Sequence, residues 1–194
     1  NVQRNGNCPL IVYRKGFRIA ILNYAILANR SAVSNDIVIN AADKNNIERD
    51  IRAARMQNAD FSITYFDWGS NMQDIPSYSQ QNLARWCFEQ GVGLVVGTHP
   101  NTVQPMEFIE YYYHAQPQTG LAVYSLGNLI SGSNDLRNCN GIILDMELKK
   151  NNFTGKVSLG DYGFIPIWNY YDTTSVKGKS NLFALPSAAV QNGD

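Results

Sequence analysis

Two stretches decide the fold: Phe61-Ser62-Ile63-Thr64-Tyr65-Phe66-Asp67-Trp68-Gly69 and, further along, Gly93-Leu94-Val95-Val96-Gly97-Thr98-His99-Pro100-Asn101. Each is a run of apolar, β-branched and aromatic residues that stops at polar, turn-forming ones, the pattern of a buried strand opening into a loop. The strand Phe61 to Phe66 leads into a loop from Asp67 to Pro76 and a helix from about Ser77 to Gln90, which Gly91 terminates. The strand Gly93 to Val96 follows at once. Strand, helix and strand in this order predict an α/β arrangement whose sites collect outside the carboxyl ends of the strands. Asp67 and His99 are therefore expected in neighbouring loops.

Upstream, Leu10 to Tyr13 and Phe17 to Tyr24 flank Lys15-Gly16 and read as a hairpin, its second strand apolar enough to be an interior strand buried on both faces. A loop, Asn29 to Ile39, precedes a helix in which Asp43 is the N-cap and Ile47, Ile51 and Ala54 line one face, ending near Gln57-Asn58. Downstream the character changes. Glu107 to His114, Leu121 to Ser125, Gly141 to Leu148 and Lys156 to Tyr171 are strand-like, separated by turn clusters such as Gln116-Pro117-Gln118 and Lys150-Asn151-Asn152, and predict antiparallel pairing. Leu182 to Val190 reads as a final strand and turn, with fraying beyond it.

The chain has 194 residues, 44% of them hydrophobic, with 16 basic and 16 acidic side chains and a formal net charge of zero. Residues 1–194 are read as a single domain that can bury roughly 70% of its unfolded surface. Balanced charge without a basic run removes the field that phosphate-backbone binding uses, so no nucleic-acid partner is expected. The longest apolar run, Ile19 to Leu27, is interrupted by Asn23 and is too short to span a bilayer as a helix. Cys8, Cys87 and Cys139 form no CxxC pair; Cys87, among Leu83, Ala84 and Phe88, reads as a small buried hydrophobe, and pairing of Cys8 with Cys139 stays open.

Asp67, His99 and Asn101 carry oxygen and nitrogen donors of the kind that hold Mn, Fe or Zn. An Asp opening a loop is also an ordinary turn former, and His99 before Pro100 can equally be a hydrogen-bonded loop histidine. Tyr124-Ser125-Leu126-Gly127-Asn128 ends in a Gly-Asn pair suited to positive φ and to bringing backbone close to a site. His114, after Tyr111-Tyr112-Tyr113, reads as a surface or hydrogen-bonded histidine on a strand, and Trp68, Trp86 and Trp168 as packing residues rather than a sugar-stacking platform.

Taken in order, these segments resemble the CapA family of poly-γ-glutamate capsule biosynthesis proteins, whose catalytic domain is similar to calcineurin-type metallophosphoesterases. The resemblance rests on Asp67-Trp68-Gly69, Pro76-Ser77 with Gln80 or Gln81, Gly97-Thr98-His99-Pro100-Asn101, Gln104, Glu107 and Tyr124 to Asn128, flanked by Arg18 to Leu22 and by Phe164 to Trp168. It implies an α/β, metallophosphoesterase-like sandwich of mixed β-sheets flanked by helices. It implies also that this chain is the C-terminal portion of such a domain, because the family's Gly-Asp and Asn-His segments lie upstream of the matching part.

The same resemblance casts Asp67, His99 and Asn101 as metal ligands, with Asp67, His99 and Asn128 as catalytic candidates. The family's first histidine is Asp67 here, and its His-His-Pro-His cluster is reduced to Thr98-His99-Pro100-Asn101, which implies a degraded site for a divalent metal (Mn, Fe or Zn). The implied function is synthesis or export of an anionic capsular polymer, extracellular or at the cell envelope, with that polymer or a phosphoester as partner. The alternative is a non-catalytic polymer-binding or scaffold module. Sheet edges left open by a missing front part imply a partner segment or a homodimer covering them.

Overall fold

The fold is seen in a computed structural model that describes residues 8–26, 39–133, 135–172 and 181–186. Strands β1 (Leu10–Arg14) and β2 (Phe17–Ala25) form the expected hairpin, with Val12 opposite Ile19. Its two-residue turn places Lys15 at φ 45° and Gly16 at φ 80°, the primed geometry that matches strand twist. Helix α1 (Lys44–Met56) starts where Asp43 accepts the Asn46 N–H at 2.9 Å, and it buries Ile47, Ile51 and Ala54 as their spacing requires. Strand β3 (Phe61–Asp67), helix α2 (Tyr78–Glu89) and strand β4 (Leu94–Thr98) follow. Ser77 caps α2 in a reciprocal box with Gln80: the Ser77 N–H donates to Gln80 Oε1 at 2.9 Å, and the Gln80 N–H to Ser77 Oγ at 3.3 Å.

The second half adds β5 (Met106–Tyr113), β6 (Gln116–Val123), a 3₁₀ turn (Leu136–Cys139), β7 (Asn140–Lys150), β8 (Val157–Asp172) and β9 (Asn181–Pro186). Strands β1 to β6 make one sheet in the order β1-β2-β3-β4-β6-β5, and β7, β8 and β9 a second, antiparallel one. Within the larger sheet β2, β3, β4 and β6 run parallel, while β1 and β5 pair antiparallel at its two edges.

Three layers result. On one face, Leu22, Tyr24, Phe66 and Val95 pack with Ile47 and Ile51 of α1 and with Ala84 and Phe88 of α2. On the other, Val96, Leu121 and Val123 meet Ile142, Leu144, Met146 and Leu148 of β7. Strand alternation explains the second contact: the intervening Ile143, Asp145, Glu147 and Lys149 are exposed. Strand β4 is buried on both faces from Leu94 to Gly97. Strand β2 is interior but less enclosed than its composition implies, since Ala20, Leu22 and Tyr24 are buried while Ile19 and Ile21 are half-buried and Asn23 is exposed.

Some expectations are corrected. Gln116, Pro117 and Gln118 are not a turn; they begin β6, with Pro117 opposite Tyr112. Proline is tolerated there because β6 meets β4 only from Leu121 onward, so at Pro117 one side of the strand has no ladder to interrupt. The turn falls instead at His114-Ala115, with φ 49° and 60°. His114 is thus an exposed turn residue rather than a strand residue, its ring edge-on to Tyr113 at 4.2 Å. Antiparallel pairing holds for β5 with β6 and for β7 to β9, but β6 also runs parallel to β4. Residues 29–38 of the predicted loop, and those after Pro186, lie outside the described residues.

The thiols settle as follows. Cys87 is buried, and burial pushes its thiol up to about 12, so it behaves as a core residue. No disulfide joins Cys8 and Cys139: the first thiol lies 3.3 Å from Asp50 Oδ2 and the second 3.2 Å from Ser133 O.

The two sheets are also tied at the end where β3 begins. Asp60 Oδ2 accepts the Arg18 N–H at 2.8 Å, and its Oδ1 accepts from Lys150 Nζ, at the end of β7, at 2.9 Å. Burial would raise the Asp60 carboxyl, but the Arg18 amide and the Lys150 ammonium outweigh it and hold it below 3.8. A folded-state pKa below the unfolded one adds stability that is complete above the unfolded pKa and is lost as pH falls through the folded value. Lys150→Met is therefore expected to cost about 1 kcal/mol or less at neutral pH. The same change should shrink the loss of stability between about pH 5 and 3, read by urea denaturation across that window. An acid limb identical to that of the unsubstituted chain would contradict the pairing.

Candidate functional site

The carboxyl ends of β3, β4 and β6 are locked together by one indole. Trp68, 1% exposed, follows β3, and its Nε1–H donates to the Tyr124 carbonyl just past β6 at 2.8 Å. To reach it the ring crosses β4 at Gly97, where a Cβ would lie 2.1 Å from Tyr124 O and 2.2 Å from Trp68 Nε1. Phe66 stacks on the same indole at 4.8 Å, and Tyr124 lies 6.1 Å away on it. The Tyr124 hydroxyl donates to Glu107 Oε2 at 3.1 Å, and burial first, then that carboxylate, pushes its pKa well above the usual phenol range.

Above this lock lie the candidate residues. Asp67 is the last residue of β3, paired with Thr98 of β4, so both stand at strand ends rather than deep in loops. By the alternation of β3, Asp67 belongs to the face of Ile63 and Tyr65, the one covered by the second sheet. His99 Nδ1 is 3.0 Å from Asp67 Oδ1, and the two side chains are 38% and 45% exposed. The backbone is unusual here: His99 has φ 95° and Asn101 φ 59°, a region that residues with a Cβ enter rarely. The turn is clamped on both sides, because the Trp68 N–H donates to Thr98 O at 3.2 Å and the Met72 N–H to Pro100 O at 2.8 Å. Asn101 Nδ2 donates to Asn71 Oδ1 at 2.8 Å, a bond that does not use its own carboxamide oxygen.

Asn128 joins this group through hydrogen bonds. Its Nδ2 donates to Asn101 O at 3.3 Å and to Asn138 O at 3.0 Å, while its own carbonyl accepts from Asn169 Nδ2 at 2.9 Å. Asn169, 3% exposed on β8, also donates to Cys139 O at 3.2 Å and accepts the Ser131 N–H at 3.0 Å. Gly127, at φ 67°, admits the close approach, since a Cβ would meet Asn140 O at 2.5 Å. The other motif residues also act as supports. Gln80 Nε2 donates to Gln104 Oε1 at 3.0 Å in a buried pair, and Gln104 Nε2 passes the link to Gln73 O at 2.7 Å. Gln81 instead bonds Pro76 O.

Asp67, His99, Asn101 and Asn128 are thus all brought to one end of the larger sheet. Asp67 and His99 touch each other; Asn101 reaches the group through its backbone, and Asn128 as a brace. The residues that sequence pattern missed are Asn71, Gln73 and Asn169. Asn169 directly follows Trp168 in a strand that reads as packing, and nothing in its spacing announces a buried carboxamide. Of the tryptophans, Trp68 is core, and Trp86 packs at its edge with the Lys44 ammonium 5.1 Å from its ring.

Imidazole, carboxylate and carboxamide are donors that suit Mn, Fe or Zn, so the residues present fit part of a coordination shell. Among the described residues, however, no cluster of three His, Cys, Asp or Glu forms. The pair needs further donors to close a metal site.

Known proteins share this chain's sequence and fold in part. The family model for "Bacterial capsule synthesis protein PGA_cap" matches residues 2–133. The PGA biosynthesis protein CapA of Bacillus subtilis (strain 168) is 28% identical over 95 residues, which is 49% of this chain and 23% of that protein. The capsule biosynthesis protein CapA of Bacillus anthracis is 27% identical over 94 residues, 48% of this chain and 21% of that protein. The chain therefore aligns with less than a quarter of the length of either relative. Among solved structures, Haemophilus influenzae NAD nucleotidase (NadN) superposes with a TM-score of 0.51 at 11% identity, covering 89% of this chain and 33% of that one. The architecture is the mixed α/β, metallophosphoesterase-like sandwich that the sequence motifs imply.

The indole lock makes a direct prediction. Gly97→Ala forces its methyl against backbone and an immobile ring, so it is expected to destabilise by about 3 kcal/mol. Asn169→Leu, which strands three backbone groups, should cost about as much. Urea denaturation checks both, and a loss below about 0.5 kcal/mol in either would contradict the packing described.

Proposed function

Because the chain belongs to the bacterial capsule synthesis (PGA_cap) family, we propose that it is part of a CapA-type protein acting in synthesis or export of an anionic capsular polymer at the cell envelope. In this reading residues 1–194 are the C-terminal portion of a metallophosphoesterase-like domain. The observation that carries it is the meeting of Asp67 and His99 at 3.0 Å at the ends of adjacent parallel strands, where open α/β sheets place their sites. Asp67, His99 and Asn101 contribute to holding a divalent metal of the Mn, Fe or Zn type, which when bound would supply a Lewis acid for a phosphoester or polymer oxygen. The chain's own residues orient that group: the clamped Thr98–Pro100 turn aims His99, Asn71 fixes the Asn101 carboxamide, and Asn128 ties the turn to the second sheet. The remaining donors come from outside the described residues.

A second reading has its own support. Where the family pattern has histidines, this chain has Asp67, Thr98 and Asn101, and Asp67 and His99 lie 3.0 Å apart with no metal between them. A module that binds or scaffolds the polymer without hydrolysis would tolerate these changes. Such a module still needs the same supports beneath the site, since they shape the surface.

Elemental analysis separates the two readings. After incubation with Mn²⁺ or Zn²⁺ and desalting, the protein is expected to retain metal near one equivalent, and His99→Ala to retain at least tenfold less. Equal retention by both would remove His99 from any metal site. No retained metal in the unsubstituted protein would favour the scaffold reading.

A further inference from the structure

At the end of the sheet opposite Asp67 and His99, the turn joining β7 to β8 holds Phe153 out into solvent, 100% exposed. A single exposed apolar side chain is ordinary; the setting of this one is not. The turn is ordered: Asn151 Oδ1 accepts the Phe153 and Thr154 N–H groups at 2.9 and 3.0 Å, the Gly155 N–H donates to Asn151 O at 2.8 Å, and the Asn151 N–H to Lys156 O at 2.9 Å. The ring therefore projects from a fixed base.

Cations surround it. Lys149, Lys150 and Lys156 flank the turn, and Lys150 Nζ reaches Gly16 O at 3.4 Å and lies 5.9 Å from the Phe17 ring, which brings the β1–β2 turn alongside. That hairpin adds Arg14, Lys15 and Arg18, the last with its guanidinium 5.5 Å from the Tyr13 ring, itself 67% exposed. Lys150 is paired with Asp60 at 2.9 Å, and Lys149 with Glu147 and Asp161 at 3.1 and 3.6 Å. Arg14, Lys15 and Lys156 are exposed and make no side-chain hydrogen bond or ion pair among the described residues. This corner is thus basic in a chain whose total charge is zero.

We propose that the corner is a peripheral contact for an anionic phospholipid surface: Phe153 enters the headgroup layer while Arg14, Lys15 and Lys156 lie against the lipid phosphates. The chemistry selects this occupant. A basic patch alone fits any polyanion, an acidic capsular polymer included. A chain of carboxylates offers nothing to a phenyl ring held out beyond the lysines, whereas a bilayer offers acyl surface directly beneath its phosphates. The contact takes only the envelope location from the function proposed above and does not involve the metal. It also sets an orientation: β3 runs away from this corner from Phe61 to Asp67, so the Asp67–His99 end stands about 20 Å from the lipid and faces away from it.

Vesicle flotation of the unmodified protein tests this. Binding is expected on phosphatidylcholine vesicles with about one third phosphatidylglycerol, at least about tenfold weaker on phosphatidylcholine alone, and falling steeply as added salt screens the charges. Lys15→Glu combined with Lys156→Glu, and separately Phe153→Ser, change only exposed side chains; each is expected to weaken binding by about tenfold while the urea midpoint stays unchanged. In Phe153→Trp, the added indole emission should shift to the blue on anionic vesicles and not with soluble polyglutamate. No binding to anionic vesicles, or binding that these variants leave unchanged, overturns the proposal. Binding of soluble polyglutamate that the charge reversals weaken and Phe153→Ser does not, with none to vesicles, overturns it in favour of the polymer. None of these results alters the metal retention that tests the site, so the two readings fail separately.

Discussion

One hydrogen bond organises this protein: the buried Trp68 indole reaching across β4 to the carbonyl of Tyr124. It exists only because position 97 has no side chain, so that three parallel strand ends are drawn into a common register at the depth of a single ring. Burying an indole N–H without a partner is costly, and here the partner is a backbone carbonyl with no secondary-structure ladder of its own. Everything placed above that ring inherits its position. Asp67 precedes the tryptophan, His99 follows Gly97 by two residues, and Asn128 stands four residues beyond the accepting carbonyl.

A second constraint joins the site to the distant sheet. Asn128 and Asn169 form a chain of carboxamide bonds from the Asn101 turn to β8, so the small antiparallel sheet helps to set the site as well as to cover a face of the core. Connected polar networks of this kind rigidify what they join. The Gln80–Gln104 pair does the same from the helix side, linking the start of α2 to the Gln73 carbonyl in the loop after β3. The strained backbone at His99 and Asn101 is held by the Trp68 and Met72 amides and by Asn128. That support is why residues with side chains can hold positive φ at a strand end.

Much of this was legible in the sequence, for identifiable reasons. Asp43 with Ile47, Ile51 and Ala54 signals a capped amphipathic helix, and Lys15-Gly16 between apolar runs signals a hairpin, because both rest on local geometry. The turn at His114-Ala115 escaped because neither residue type advertises positive φ, whereas Gln116-Pro117-Gln118 looked like a turn and became the unladdered start of a strand. At the site, motif order placed Asp67, His99, Asn101 and Asn128 at one end of the sheet. It did not say that Asp67 and His99 come within 3.0 Å of each other or that Asn169 braces Asn128, since such contacts depend on tertiary packing. A histidine in the family pattern replaced by Asp67 reads as one ligand for another, and its 3.0 Å approach to His99 Nδ1 is visible only in the fold.

The metal-site proposal puts a cation at this strand end with His99 among its donors. Crystals of the protein grown with Zn²⁺, measured at the zinc absorption edge, test it most directly. That proposal predicts an anomalous peak about 2.1 Å from an imidazole nitrogen of His99. Density for zinc only elsewhere on the protein would contradict it.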